Sequence, residues 1–144
     1  MEIVNMTKEL IPQIAQIEAQ SIPQPWSESD FEFELTNKFA INLVCVENQQ
    51  VIGFLCAHNV YGQCNINSIA THPDHRNEGI ATKLLSELIN RVKDLSDAQI
   101  TLEVRLQNKP AISFYEKQGF VVQGTRANFY KNPTDDALLY TLKI

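Results

Sequence analysis

The sequence predicts one layered α/β domain that spans residues 1–144. The length of 144 residues is typical of a compact domain with a substantial core. Hydrophobic residues make up 44% of the chain and charged residues 20%, which is the composition of a globular protein. Strand-like and helical segments follow one another in the order β-α-α-β-β-β-α-β-α-β-β, and no repeat or Gly/Ser-rich linker separates them.

The N-terminal part is predicted to form a short strand and two helices. The strand covers residues 2–6, and apolar residues at helical spacing predict a helix over 7–21. Residues 22–26, Ile-Pro-Gln-Pro-Trp, cannot continue a helix and are predicted to form a loop. Ser27, with Asp30 three residues later, is predicted to cap the second, short helix.

Three strands are predicted in the centre of the chain. Residues 41–46 and 51–60 are rich in β-branched and aromatic residues, and residues 47–50 between them have the composition of a hairpin turn. A third strand is predicted over residues 65–71, and Pro73 follows it.

The remaining segments are two helices and three strands. Residues 79–95 carry apolar side chains on one face and form the strongest predicted helix. Alternating apolar and polar residues predict a strand over 98–105. Asn108 is predicted to cap a helix over 109–118, with Pro110 in its first turn and Gly119 at its end. The last two strands are predicted at 120–127 and 137–142.

Charge and cysteine content restrict the possible functions. The net charge of −5 disfavours nonspecific nucleic-acid binding, which needs a basic surface, and is compatible with a basic peptide partner. Cys45, Cys56 and Cys64 form no paired motif, which favours a reduced, cytoplasmic setting. We find no signal-peptide pattern at the start, and no apolar stretch approaches the ~20 residues of a membrane span.

Residues 76–81, Arg-Asn-Glu-Gly-Ile-Ala, lie between a predicted strand and the strongest predicted helix. A helix N-terminus presents unsatisfied N–H groups and the positive end of the helix dipole, which suits a pyrophosphate. Gly79 lets the backbone approach a ligand, and Ala81 keeps the next turn slim. The pattern alone is weak, because one glycine after a strand is more often only a turn. It is neither a P-loop nor the GxGxxG motif of a dinucleotide-binding fold.

Two blocks of the sequence resemble the GNAT family of acetyltransferases. Arg76-x-x-Gly79-x-Ala81 resembles the R/Q-x-x-G-x-G/A acetyl-CoA motif of that family, and residues 69–79 resemble the whole strand, turn and helix start of the motif. The next block is matched by Leu-Glu-Val-Arg at 102–105, Asn108, Ala111 and Phe-Tyr-Glu-Lys-Gln-Gly-Phe at 114–120. The resemblance implies a GNAT fold, a mixed, mostly antiparallel sheet flanked by helices, with acetyl-CoA as cosubstrate between central strands.

Within this family the chain is most similar to the RimI-like enzymes, which acetylate the N-terminal alanine of a small-subunit ribosomal protein. The similarity rests on Ile-Glu at 17–18 ahead of Pro-Trp-Ser-Glu at 25–28, on residues 102–105, and on Arg-x-Asn-Phe-Tyr at 126–130. The chain departs from the pattern at Ala81, where glycine is commoner, at Phe129, where tyrosine is common, and at residues 131–136, a slightly short segment. The similarity implies direct acetyl transfer to a protein N-terminal α-amine.

Two residues are candidates for the proton transfers of this reaction. Glu103 lies on the polar face of a predicted central strand and is the candidate general base, acting directly or through a water. The alternative is a structural glutamate that pairs with Arg105 or faces solvent. Tyr115 is the candidate general acid for the departing thiolate. The alternative is a helix tyrosine that packs on the sheet, as Phe114 is expected to do.

The resemblance also implies residues for each ligand. Asn108 is expected to cap its helix and to hydrogen-bond the pantetheine arm, while Ile69 and Thr71 would offer backbone groups to it. This arrangement requires the neighbouring strand to separate after Ile69. The cofactor-binding residues implied are Ile69, Ala70, Thr71, Arg76, Asn77, Glu78, Gly79, Ile80, Ala81, Thr82 and Asn108; the acceptor-binding residues are Glu18, Trp26, Asn128 and Tyr130. Trp26 could equally be a structural plug, and Tyr130 could simply cover the sheet.

Two other functions stay open at this point. The same chemistry could act on a lysine or a small-molecule amine, or the domain could bind acyl-CoA without catalysis. Glu103 and Tyr115 together disfavour a pure binding domain, which has no need of both. A metal site is not expected, because His58, His72 and His75 lack ligand spacing. A cysteine nucleophile is not expected, because no basic neighbour lowers a thiol pKa.

Overall fold

The computed structural model describes residues 1–144 and contains seven strands and four helices. The strands are β1 (Glu2–Asn5), β2 (Ala40–Glu47), β3 (Gln50–Val60), β4 (Gln63–Thr71), β5 (Gln99–Arg105), β6 (Val121–Tyr130) and β7 (Asp135–Lys143). The helices are α1 (Ile11–Ser21), α2 (Glu28–Glu34), α3 (Ile80–Val92) and α4 (Lys109–Lys117). The predicted order of elements is confirmed.

All seven strands belong to one sheet in the order β1-β2-β3-β4-β5-β7-β6. Five of the neighbouring pairs are antiparallel, and only β4 and β5 run parallel. The sheet is therefore mixed and mostly antiparallel, as predicted. The parallel pairing covers only Gln63–Asn65 against Gln99–Thr101, so the two strands separate after three residue pairs.

Several element boundaries differ from the predictions. The helix predicted over 7–21 begins as a 3-10 turn at Lys8–Leu10, and α1 itself starts at Ile11. The proline that follows Ile11 has no N–H to donate and suits a helix start. Strand β4 begins at Gln63, two residues before the prediction, because Tyr61 and Gly62 form the hairpin turn with positive φ angles of 52° and 90°.

The last hairpin is longer than its apolar pattern predicted. Strand β6 reaches Tyr130, which pairs with Asp135 at the start of β7. Between Arg126 and Tyr130 the register shifts, and Asn128 adopts a positive φ of 53°. This irregularity interrupts the alternation of apolar and polar residues, and the strand predicted from that alternation therefore ended at residue 127, before the true end of β6.

The predicted helix caps are confirmed. Ser27 and Asp30 form a capping box, in which each side chain accepts a hydrogen bond from the backbone N–H of the other. The Asn108 side chain accepts from the backbone N–H of Ala111 at 3.3 Å. These bonds satisfy helix-end donors that would otherwise lack partners.

Helices cover both faces of the sheet and create two hydrophobic cores. On strand β3, Phe54 and Cys56 belong to the core formed with α1 and α2, while Leu55 and Ala57 belong to the core formed with α3 on the other face. This alternation follows from the two-residue repeat of a strand that is buried on both sides. The three cysteines are free and buried. None of the helices is long and apolar enough to cross a membrane.

Candidate active site

The separation of β4 from β5 opens a cleft in the middle of the sheet. The last pair, Asn65 and Thr101, is held by a side-chain hydrogen bond from Thr101 Oγ1 to Asn65 Oδ1 of 2.9 Å. Immediately afterwards, the pairing of β4 with β3 skips one residue, because Ile66 faces Ala57 and Ser68 faces Cys56. Such a β-bulge bends its strand. The strand separation that the cofactor assignment required is present, and it begins at Asn65 rather than after Ile69.

A cavity of about 580 Å³ lies on one side of the cleft, between β4, the start of α3 and α4. We call it the cofactor-side cavity. Its wall contains ten of the residues predicted to bind the cofactor, namely Ile69, Ala70, Thr71, Arg76, Asn77, Gly79, Ile80, Ala81, Thr82 and Asn108. Glu78 does not line it, and its carboxylate lies 3.2 Å from Nδ1 of His75. His75 itself lines the cavity and was not predicted.

The loop before α3 offers backbone donors to this cavity. None of the N–H groups of Asn77, Glu78 and Gly79 donates to another group of the protein. Asn77 and Gly79 have positive φ angles of 64° and 78°, and a Cβ placed on Gly79 would meet no protein atom within 4 Å. Free amides at a helix N-terminus form an anion site, so this loop fits a pyrophosphate.

A second cavity of about 350 Å³ lies on the other side of the cleft, and we call it the acceptor-side cavity. Glu103 and Tyr130 contribute to its wall. Five residues line both cavities and mark where they meet: Ile22, Ile69, Asn108, Ala111 and Tyr115. The structure thus brings Glu103 and Tyr115 together around one passage.

Glu103 is partly exposed and has one cationic neighbour. Its carboxylate lies 3.7 Å from Nη1 of Arg126, and the two side chains are 29% and 57% exposed respectively. An ion pair this long and this exposed contributes little to stability. The carboxylate does not pair with Arg105, the structural alternative considered from the sequence, so it is available to a ligand in the cavity.

Tyr115 is buried in the passage between the cavities. Its ring makes edge contacts with Phe114 and Phe120, at centroid distances of 5.3 and 5.5 Å. Burial, with a smaller contribution from Tyr130, raises the pKa of the Tyr115 phenol well above its usual value. The phenol therefore stays protonated at neutral pH and can donate a hydrogen bond to a ligand.

Arg105 contacts Tyr130, which lines the acceptor-side cavity, and the turn that follows Tyr130. Its guanidinium donates to the carbonyl oxygens of Pro133 and Lys131 at 2.7 and 3.1 Å and lies 4.4 Å from the centre of the Tyr130 ring. Burial and the nearby Glu103 carboxylate raise the pKa of Tyr130, while Arg105 lowers it. The β6–β7 turn is thereby fixed over the acceptor-side cavity.

The other three predicted acceptor residues do not line either cavity. Glu18 is buried, and its carboxylate accepts hydrogen bonds from Ser68 and from the backbone of Trp26. The Trp26 ring packs on Phe31 at 5.3 Å between centroids. Asn128 is exposed, and its backbone N–H donates to Asp136 at 2.8 Å. Glu18 therefore reaches the cavity wall only through Ser68.

Part of the acceptor-side wall was not predicted from the sequence. Pro23 and Gln24 lie in the loop after α1, and Ile66, Asn67 and Ser68 lie at the bulge of β4. The two prolines of the loop predicted irregular backbone beside Glu18, which could have indicated the first pair. No local pattern indicates a bulge in β4, because it arises from pairing with β3.

Comparison with known proteins agrees with this geometry. Residues 11–120 match the profile of the Acetyltransferase (GNAT) family. The ribosomal protein bS18-alanine N-acetyltransferase of Haemophilus influenzae is 33% identical over 119 residues, which cover 83% of this chain and 80% of that protein.

Two solved structures show the same architecture. The ribosomal-protein-S18-alanine N-acetyltransferase from Escherichia coli has a TM-score of 0.90 at 28% identity, covering 99% of this chain and 93% of that one. Arabidopsis thaliana NAA60, solved in complex with acetyl-CoA, has a TM-score of 0.89 at 18% identity and 99% coverage of both chains. At that identity, the second likeness shows the fold alone.

Proposed function

Because this chain belongs to the GNAT family of acetyltransferases, we propose that it transfers the acetyl group of acetyl-CoA directly to the N-terminal α-amine of a protein. The proposal rests on one observation. The cofactor-side cavity, with its free amides, and the acceptor-side cavity, with Glu103, meet at Tyr115. Two openings joined by one passage suit a reaction in which both substrates are bound at once.

The cofactor-side cavity has the donors that acetyl-CoA requires. The amides of residues 77–79 would bind the pyrophosphate, and Gly79 leaves room for its approach. Beyond Asn65, the edge of β4 that faces β5 has no strand partner, so Ile69 and Thr71 can offer backbone groups to the pantetheine amides. When bound, acetyl-CoA supplies an activated acetyl thioester.

Glu103 would act as the general base on the acceptor side. An α-amine has a pKa near ~8, so a large fraction of it is protonated at neutral pH and cannot attack. A carboxylate beside the amine removes that proton, directly or through a water. Arg126, at 3.7 Å, is the cationic neighbour of this carboxylate.

Tyr115 would act on the leaving thiolate. Its protonated hydroxyl donates a hydrogen bond to the sulfur as negative charge develops there. Because its pKa is raised, the phenol holds its proton tightly, so hydrogen bonding matters more than complete proton transfer. The free Nδ2 of Asn108, whose Oδ1 is used by the helix cap, can orient the pantetheine arm.

The acceptor is proposed from the similar proteins. The bacterial relatives described above act on the alanine of a ribosomal protein, bS18 or S18, according to their names. We therefore propose a ribosomal-protein N-terminus, with alanine first, as the acceptor of this chain.

The test is to incubate the chain with acetyl-CoA and short peptides from ribosomal N-termini, each also containing an internal lysine. Mass spectrometry of fragments then locates the acetyl group. Acetylation of the α-amine is the expected result. Acetylation of lysine alone would favour a lysine or small-amine acetyltransferase, and tight acetyl-CoA binding without transfer would favour a binding domain.

A further inference from the structure

Glu18 is a buried carboxylate behind the acceptor-side cavity. It lies near the end of α1 and is only 1% exposed. The Ser68 hydroxyl donates to its Oε1 at 2.7 Å, and the Trp26 backbone N–H donates to its Oε2 at 3.3 Å. Burying a carboxylate is costly unless each oxygen has a donor, and here each has one. The two bonds connect α1 to the bulged part of β4 and to the loop before α2.

The bond to Glu18 determines the polarity of the Ser68 hydroxyl, that is, whether it donates or accepts a hydrogen bond on the cavity side. A hydroxyl has one proton and two lone pairs, and it normally rotates to donate or accept as its surroundings require. The Ser68 proton is held by Glu18, so only the lone pairs of its oxygen can face the cavity that Ser68 lines. Ser68 is therefore a hydrogen-bond acceptor toward any ligand there.

This polarity matters for an amine nucleophile. A neutral primary amine has two N–H donors and one lone pair, and only the lone pair attacks. Ser68 on β4 and Glu103 on β5 are acceptors on the two strands that separate around the cavity. Acceptors on both strands would hold the N–H groups of a bound amine and leave its lone pair free. A donor in the place of Ser68 would instead bind the lone pair and oppose attack.

We infer that Ser68 accepts a hydrogen bond from the acceptor amine and that Glu18 is a positioning residue that keeps Ser68 in this role. The inference rests on the proposed function and adds two groups that orient the nucleophile. It also accounts for a buried carboxylate that lines neither cavity but bonds to the wall of one.

Glu18→Gln tests the polarity directly. The amide has nearly the same shape, and its oxygen can accept from Trp26 while its NH₂ donates to Ser68, which releases the Ser68 proton toward the cavity. We expect kcat to fall about tenfold, with the Kd of acetyl-CoA changed less than about twofold. Ser68→Ala should lower kcat/KM about tenfold, while Ser68→Thr, which keeps the hydroxyl, should stay within about threefold of the wild type.

A double-mutant cycle separates this role from a purely structural one. In a Ser68→Ala background, Glu18→Gln should cause no further loss of kcat, because no hydroxyl remains to be reversed. The same fold-loss in both backgrounds would overturn the inference. Glu34→Gln is the matched control, since Glu34 is also buried, bonds to His58 at 2.6 Å and lines neither cavity. It should keep the wild-type kcat.

The activity of the wild-type chain in the same assay distinguishes failure of the proposed function from failure of the inference about Ser68 and Glu18. If it transfers acetyl to no α-amine, the function and the inference both fail. If it transfers normally and the Glu18 and Ser68 variants match it, only the inference fails. If Glu18→Gln does not fold, as judged by its melting curve, Ser68→Ala and Ser68→Thr decide. A loss of kcat/KM in Ser68→Ala but not in Ser68→Thr supports the inference, and equal kcat/KM values in both variants overturn it.

Discussion

The two sides of the cleft are built in different ways. The cofactor side takes most of its wall from two nearly continuous stretches, 69–82 and 108–115, and its anion site consists of backbone amides. The acceptor side takes side chains from five separate segments: residues 22–24, 66–69, 102–105, 108–115 and Tyr130. The first is a local property of a strand, a turn and a helix. The second exists only when the sheet has assembled.

Because of this difference, we expect the kinetic effect of a substitution to depend on the side of the cleft that it changes. Changes on the cofactor side should alter the Kd of acetyl-CoA, changes on the acceptor side should alter kcat or the KM for the peptide, and changes in the passage should alter kcat alone. A variant on one side that alters the property assigned to the other would show that the two sides are not independent.

Glu103→Gln on the acceptor side is expected to have the largest effect. The amide keeps the shape of the side chain but cannot accept a proton, so kcat should fall by about 100-fold or more near neutral pH. The loss should shrink above pH ~8, where the α-amine is already neutral. Steady-state rates across pH, with the Kd of acetyl-CoA measured by calorimetry, provide the check.

Glu87→Gln is the matched control for this variant. Glu87 pairs with Arg91 at 3.2 Å on α3 and lines neither cavity, so the control should keep the wild-type rate. A loss in Glu103→Gln that is equal at every pH would contradict the role of Glu103 as a base.

Tyr115→Phe in the passage should lower kcat by about 10- to 100-fold. Both ligands should bind as before, and the melting temperature should hold, because the phenylalanine ring keeps the contacts with Phe114 and Phe120. Since burial raises the pKa of this phenol, the wild-type rate should show no loss from its ionisation near pH ~10. Single-turnover rates measure this step, and an unaltered rate would exclude the hydroxyl from the reaction.

Gly79→Val on the cofactor side should raise the Kd of acetyl-CoA about tenfold or more, with the KM for peptide little changed. The φ of 78° is unfavourable for valine, and its side chain would enter the space offered to the pyrophosphate. Gly124→Ala is the control, because its Cβ meets only Leu139 at an ordinary 3.5 Å. Calorimetric titration showing undiminished acetyl-CoA binding would rule out this loop as the anion site.

Arg105→Lys on the acceptor side should have the smallest effect, raising the KM for peptide by about threefold to tenfold. Lysine keeps the charge but cannot donate to both turn carbonyls and lie over Tyr130 at once. The Kd of acetyl-CoA should not change. The same substitution at Arg91, on the exposed face of α3, is the control. An unchanged KM would mean that the β6–β7 turn does not shape the acceptor site.

The difference between the two sides also explains what could be predicted. The resemblance of residues 69–81 and 102–120 to the GNAT family is confirmed, and so are the fold class and the order of elements. These features depend on local periodicity, capping residues and a motif of consecutive positions. The boundaries of β4, β6 and β7 were wrong by two residues or more at one end, because pairing with a neighbour extended them past their own pattern.

The acceptor side was only partly predictable. Tyr130 was named and lines the cavity, whereas Ser68, Pro23 and Gln24 were missed. Glu18 was named as a ligand-binding residue, yet it lies behind the wall and bonds to Ser68, 50 positions away in the sequence. A contact between residues so far apart leaves no trace in local spacing.

The alternation of strands and helices, the helix caps and the loop of free amides each depend on residues within about one turn of one another, so short stretches of sequence specify them. The point where β4 and β5 separate, the side chains that face the resulting passage and the direction of the Ser68 hydroxyl are specified only in the assembled fold. Those outcomes depend on a bulge in one strand and on a buried carboxylate from a distant helix, and both are products of packing rather than of local sequence.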